Sequence, residues 1–431
     1  MAEASSTTTV ELDRQHRQNA ASNPIEEGSK EGIGLPLTIL LAATVGLVVG
    51  NLYYAQPLLA TIAAELGLTE AQVGGAATLG MLAQACGMLF LLPLGDIYNR
   101  RPFILASVGA SILSLLVVSA SQGMVSFSVA CFTLGLSTIG THMTISLAAS
   151  LAHERQRGFV VGAVFGGLLT GLLLSRAISG ILGSIWGWRP VYYLAAAVLA
   201  ILFALLWKKL PNSIPQSRMS YPKLLRSMIT LLRNEPVLRI SCVYGSASFA
   251  AFGAFWVTLA FHLEQPPLQY GSDIAGMLGL LAIVGALAAG PVGKLADTLG
   301  PARILGTSLI LTLLSFGLMG FWGYSLWSLS LGVILMDLGI QAVHVCNQSQ
   351  IYSLIPEARN RLGTIYIVTY FLGGTVGSAV GVWAWTQFGW EGVCLSAASF
   401  MLVAFLTFVG QLAGRRKGVE RTGRSPVRAG D

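Results

Sequence analysis

Asp337, Gln341, His344 and Gln348 follow one another at spacings of four, three and four residues, inside an apolar run from about Trp327 to Ile351. On an α-helix these positions share one face. A carboxylate, an imidazole and two amides inside a hydrocarbon layer are costly unless they face protein or water. A carboxylate shielded from water can take up a proton and give it back. An imidazole titrates near neutrality. The chemistry open to this face is therefore proton exchange beside hydrogen bonding to a polar solute. Two settings would accommodate it: a buried network that glues helices together, or the wall of a water-filled cavity. The cavity wall is favoured, because other apolar runs carry matching polar residues at similar depth.

Those partners are Asn51, Tyr53, Tyr54 and Gln56 in one run, His142 in another and Arg176 in a third. With ~1.5 Å of rise per residue, Tyr54, Arg176 and Asp337 lie roughly 12–17 Å below the outer surface. Opposite charges at one level can neutralise each other, and the tyrosine hydroxyls can bridge them. His142 and His344 sit deeper, at ~25 Å, and each serves either as an interhelical hydrogen-bonding group or as a proton relay. Aromatic residues at Tyr53, Tyr54, Tyr244, Phe252, Phe255, Trp256, Tyr366 and Tyr370 offer a stacking surface for a flat or amphipathic substrate, with interface belts and packing as the alternative.

These residues need elements that hold them at depth, and the composition says which. The 431 residues are 54% hydrophobic and only 10% charged, with a mean hydropathy of +0.69. A soluble chain carries about 25% charged residues, so this chain is expected in a bilayer. Twelve apolar segments of spanning length are read at about 36–64, 72–95, 102–121, 125–151, 158–184, 190–207, 238–262, 273–296, 303–322, 326–351, 362–387 and 391–412. The resulting division is a disordered tail (1–34), a first six-helix half (35–207), a polar linker (208–237), a second half (238–414) and a basic tail (415–431). The fold class expected is thus all-α and integral to the membrane, with twelve transmembrane helices in two pseudo-symmetric halves. No leader peptide is read ahead of the first apolar run near Leu35. The five cysteines all fall in apolar segments, and their odd number argues against a disulfide framework.

With an inner N-terminus, 24 of the 26 basic residues fall in inner loops, the linker or the tails, and only Arg189 in an outer loop. The excess of Lys and Arg in cytoplasmic loops thus puts both termini in the cytoplasm of a multi-pass protein of the cell membrane. The net charge of +7 belongs to those loops and is no nucleic-acid footprint. Landmarks repeat at almost one offset. Asp96 and Asp297 are 201 residues apart, and Gly187-Trp188 and Gly389-Trp390 are 202 apart. His142 and His344 share the 202-residue offset. Two parallel repeats facing across a central site is the architecture this implies.

The loop Asp96-Ile97-Tyr98-Asn99-Arg100-Arg101, its second copy Gly293-Lys294-Leu295-Ala296-Asp297-Thr298-Leu299-Gly300, and the segments Asn51 to Leu58 and Asn347 to Ser349 make the chain resemble a major facilitator superfamily transporter from Leu35 to Gly414. Within that family they resemble the bacterial-type drug and sugar efflux branch. The first loop departs from the family signature at Leu92, Ile97 and Asn99. The resemblance implies a latch between the halves built from Asp96, Arg100, Arg101, Asp297 and Arg303. Asn99 and Gly300 occupy matching places, where both tolerate a left-handed backbone. Gly162, Gly166, Gly167, Gly171 and Gly180, mirrored by Gly373, Gly374, Gly377 and Gly381, resemble the family's glycine-rich fifth helix and serve close helix packing. Cys131 stands where many proton-coupled relatives carry an arginine, so Asp337 is the better proton carrier here.

The expected function is secondary active export of a small organic molecule by alternating access, in exchange for protons. The alternative is uptake or facilitated passage of a sugar-like solute. No paired histidines four apart and no phosphate-binding Gly-Lys-Ser/Thr loop occur. The chain is therefore expected to be neither an enzyme nor an ATP-driven pump. It needs no cofactor or metal, with a proton gradient as driving force. Its partners are a small-molecule substrate and the bilayer, and it is read as a monomer without nucleic acid.

Overall fold

A segment that is apolar on all sides can hide its backbone from lipid only as a helix. The computed structural model describes residues 33–153, 155–213, 220–355 and 358–422, with side chains given no further than Gly414. Among the described residues, eleven helical stretches are long and apolar enough to cross a membrane. Spans 1 to 10 are Leu35–Leu66, Glu70–Ile97, Arg100–Ala120, Met124–Leu151, Arg157–Trp186, Trp188–Lys209, Pro236–Glu264, Ser272–Leu299, Pro301–Trp322 and Leu326–Tyr352. The eleventh stretch, Arg359–Gly414, is 56 residues long. Gly389 interrupts it with φ 64° and ψ −153°, a conformation that only glycine adopts without strain. Two spans, 11 and 12, meet at that kink, so the chain has twelve spans in two six-helix halves. Residues 1–32 and 423–431, where most of the expected tails fall, lie outside the described residues.

The glycines explain how the helices approach. Gly167 and Gly171 of span 5 press on the backbone of Ala42 and Gly46 in span 1. Gly373 and Gly377 of span 11 press in the same way on Ser246 and Ala250 in span 7. The two halves thus repeat one helix pairing. Gly162 and Gly166 have no such neighbour.

Three spans are broken in mid-course. Pro57 lacks the amide hydrogen that would continue the ladder, and span 1 passes into a short 3-10 turn, Gln56–Leu58. Span 4 changes at Thr138 and span 8 at Ala282. The polar interruption between the halves also holds a helix, Tyr221–Asn234. Its Leu224 and Met228 are buried with Leu238, Cys242 and Leu362, while Lys223, Arg226 and Arg233 are exposed.

The halves meet unevenly. The outer part of span 8, Ser272–Leu281, packs against span 5, and span 2 packs along span 11. A Cβ on Gly276 would lie 2.5 Å from the Arg176 carbonyl oxygen, and one on Gly74 would lie 2.6 Å from Val382. Trp385 donates to Glu70 at 2.5 Å, and Ser272 donates to the Gly180 carbonyl at 3.1 Å. All these contacts lie toward the Glu70 end of the spans. Beyond Ala282 the remainder of span 8 turns to spans 9 and 10 and is largely exposed. The structure is closed by direct contact at the Glu70 end, whereas toward the Arg100 end span 8 has left span 5 and is exposed.

Candidate functional site

Arg176 is 1% exposed in the middle of span 5. The break in span 1 brings Gln56 to it, and the guanidinium Nε donates to Gln56 Oε1 at 2.6 Å. Its carbon lies 4.9 Å from the centre of the Tyr53 ring, 5.7 Å from Phe252 and 4.3 Å from Trp256. Tyr53 and Gln56 belong to its own half, while Phe252 and Trp256 come from span 7 of the other. The stalk fits only because residue 279 is glycine. A Cβ there would lie 2.9 Å from Arg176 Cβ and Cδ. Both terminal nitrogens, Nη1 and Nη2, are buried without a hydrogen-bond partner, as is Trp256 Nε1.

Asp337 is 8% exposed, and its buried Oδ2 has no partner. It packs on the same span 8 as Arg176, against Gly285, where a Cβ would lie 2.8 Å from the Asp337 carbonyl carbon. Gly279 and Gly285 are six residues apart, about 9 Å along a helix. Among the described residues, Arg176 and Asp337 form no ion pair. The direct neutralisation expected from their common depth is therefore not made. Tyrosine does not bridge them either. Tyr53 faces the guanidinium, whereas Tyr54 turns into its own half, where its ring meets Tyr192 edge-on at 6.5 Å.

On the C-terminal stretch of span 10, His344 Nδ1 lies 3.1 Å from the Tyr366 hydroxyl and Nε2 lies 2.9 Å from Gln348 Nε2. With Gln348 donating, the ring accepts at Nε2 and carries its hydrogen on Nδ1. Gln341 is half-buried on the same face. His142, its counterpart by position, is half-buried and makes no such bonds. Asn51 is 1% exposed, and its amide nitrogen is unpartnered beside a cavity of about 30 Å³ shared with Tyr53, Gln56, Cys131, Tyr192 and Ser378. That volume holds about one or two waters.

An aromatic file joins the two ends of the site. Phe249, Phe252 and Trp256, at helical spacing on span 7, lie on one face. His344 and Tyr370 are 5.0 Å apart, Tyr370 and Phe249 stack at 4.1 Å, and Phe249 and Phe252 stack at 5.1 Å. Phe252 then meets Trp256 at 5.9 Å, and Trp256 covers Arg176.

The loop residues behave differently in the two halves. Asp96 pairs with Arg100 at 3.2 Å. Asn99 accepts from the Arg101 and Ser213 amides, and Arg101 donates to the Trp207 carbonyl at 2.7 Å. Asn99 has φ −60° and ψ 123° and caps span 3, so the left-handed turn expected there is not formed. Gly300, with φ 87°, does have positive φ. Asp297 and Arg303 are exposed and make no ion pair among the described residues.

Gln84, 2% exposed with both amide atoms unpartnered, was not among the candidates. A lone amide in the apolar run Ala83 to Leu92 is the same signal that marks Gln341, and it could have been read. The Glu70–Trp385 contact joins residues 315 apart, and no local pattern announces it.

The comparisons fit this geometry. The family model described as Major Facilitator Superfamily matches residues 39–301 and 261–429. The chain is 37% identical to the uncharacterized transporter YgaY of Escherichia coli over 372 residues, covering 86% of this chain and 94% of that one. It is 26% identical over 367 residues to the purine ribonucleoside efflux pump NepI of Salmonella paratyphi B, covering 82% and 88%. A crystal structure of the nucleoside transporter NupG shares the fold with a TM-score of 0.70 at 15% identity, covering 88% of this chain and 99% of that one. Twelve spans in two repeating halves, one closed end, and costly charges between the halves lead to one conclusion: the chain belongs to the major facilitator superfamily, and is a multi-pass membrane transporter rather than an enzyme.

Proposed function

We propose that the protein exports a small organic molecule by alternating access in exchange for protons, with Asp337 as the proton carrier. One observation carries this reading: Asp337 is a mid-span carboxylate whose buried Oδ2 has no hydrogen bond, packed on the same span 8 as an arginine that has no ion pair. A structural charge would be expected to be paired, because an orphan in hydrocarbon costs at least ~2.5 kcal/mol. A carboxylate that must bind and release a proton in each cycle has to stay free of a permanent partner. The broken spans 1, 4 and 8 support the same site, since transporters build binding sites at discontinuous helices. The excess of basic residues in the loops supports cytoplasmic termini. In that orientation the Arg100 end faces the cytoplasm, where an exporter collects its substrate. The efflux pump NepI among the relatives supports export.

Uptake of a sugar-like solute is the second reading, favoured by the neutral amides of Asn51, Gln341 and Gln348 around the site. Inverted vesicles with an imposed pH gradient, screened across sugars, nucleosides, dyes and antibiotics, separate the two. Asp337→Asn should abolish gradient-driven accumulation while the protein stays folded by thermal melting. Normal uphill transport by this variant would remove Asp337 from the coupling role.

A further inference from the structure

Among the described residues, Arg176 is a buried cation whose terminal nitrogens have no hydrogen-bond partner. Nε is spent on Gln56, but four N–H bonds on Nη1 and Nη2 point at no acceptor, in a side chain that is 1% exposed. The rings of Tyr53, Phe252 and Trp256 offer the cation their faces, which soften its burial without accepting its hydrogens. Trp256 Nε1, on one of those rings, is a further unused donor. Asp337 packs on the same span 8 and makes no ion pair with them. Unused donors of this kind, on a planar fork, match two oxygens of a carboxylate. The aromatic file that runs from Trp256 through Phe252 and Phe249 to Tyr370, its rings stacked on one another, gives the body of the same ligand an apolar wall of ring edges.

Building on the transport reading above, we propose that Arg176 receives the carboxylate of the transported molecule, a small organic acid with an apolar body. In the closed-end state the guanidinium lies against rings of the opposite half, in a tight space lined by Trp256, Leu259 and Ala260. A carboxylate rising from the Arg100 end draws it off those rings, and the clearance at Gly279 lets the stalk swing. The ligand thereby competes with a contact between span 5 and span 7 that holds the Glu70 end shut. Binding and opening of that end are one event.

The test uses the purified full-length protein with benzoate as the probe and benzamide, its neutral isostere, as control. Benzoate should raise the melting temperature and change Trp256 fluorescence, and benzamide should do neither. Arg176→Gln should weaken benzoate binding at least about tenfold, and Trp256→Phe, which keeps a ring and removes the N–H, should weaken it several-fold. Gly279→Ala, which crowds the stalk without touching the charge, covers the case in which Arg176→Gln does not fold and should also weaken binding. Equal binding of acid and amide, no binding of either, or unchanged benzoate affinity in Arg176→Gln and Gly279→Ala overturns the assignment. A protein blind to benzoate that still drives a neutral solute with a pH gradient refutes the carboxylate alone. One that binds benzoate but moves no solute under either gradient refutes the proton-coupled reading alone.

Discussion

Arg176 and Asp337 share span 8 as a common floor without touching, at Gly279 and Gly285. Each charge is costly on its own, and each makes the other less so through the low-dielectric space between them. Truncating one should therefore harm the protein more than truncating both, since the double variant leaves no orphan charge. In a thermal-stability cycle of Arg176→Ala, Asp337→Ala and the double variant, we expect a coupling of about 1 kcal/mol, well below that of a contact pair. Strict additivity would show that the two charges act independently. Both residues were legible in the sequence, because an isolated charge in an apolar run announces its cost. Their failure to pair was not. Depth follows from counting residues along a helix, whereas the rotation and tilt that decide whether two spans meet depend on side chains far away in sequence.

At the scale of elements, the apolar runs read almost directly as spans, since lipid leaves the backbone no choice but a helix. Two features escaped. The helix Tyr221–Asn234 is short and two-faced, and in the sequence it looks like polar linker because half its residues face water. Asn99 looked like a turn residue, but its side chain is used as a cap, a role equally open to asparagine. The seam between span 5 and span 8 was hidden for another reason: small residues announce that something packs closely, not what. Gly276 meets the Arg176 carbonyl and Gly180 across that seam. A wedge at this point, Gly276→Val, should keep the Glu70 end from closing. Distances between spin labels on spans 5 and 8 should lengthen, and the closed population should fall by about tenfold or more, in line with an overpacking cost of ~1–3 kcal/mol. Unchanged label distances would show that the seam is not what closes this end.

For the molecule as a whole, the two ends are held by different chemistry. The Glu70 end is shut by direct contact between halves. At the Arg100 end, Asp96 pairs with Arg100, while Asn99 and Arg101 bond to each other, to Trp207 and to Ser213 of the linker, so this loop ties the first half to the linker rather than sealing a seam of its own. Asp96→Ala should then slow turnover by about tenfold, as expected when a conformational step limits the cycle. Substrate affinity should change less than about twofold, because the loop lies far from Arg176 and Asp337. A large loss of affinity with unchanged turnover would place the loop in the binding site instead.

The glycine seam has a consequence for how readily the transporter cycles. A door that closes through long side chains must freeze their torsions every time it shuts, at about 0.5–1.5 kcal/mol for each chain immobilised. Where Gly180 meets Gly276, backbone meets backbone, and no rotamer is lost on closing or regained on opening. The entropy of the protein therefore differs little between the two states at this seam. Side-chain entropy thus does not bias this point of contact, and the choice of state is left to the polar and aromatic contacts around it, which a ligand or a proton can alter.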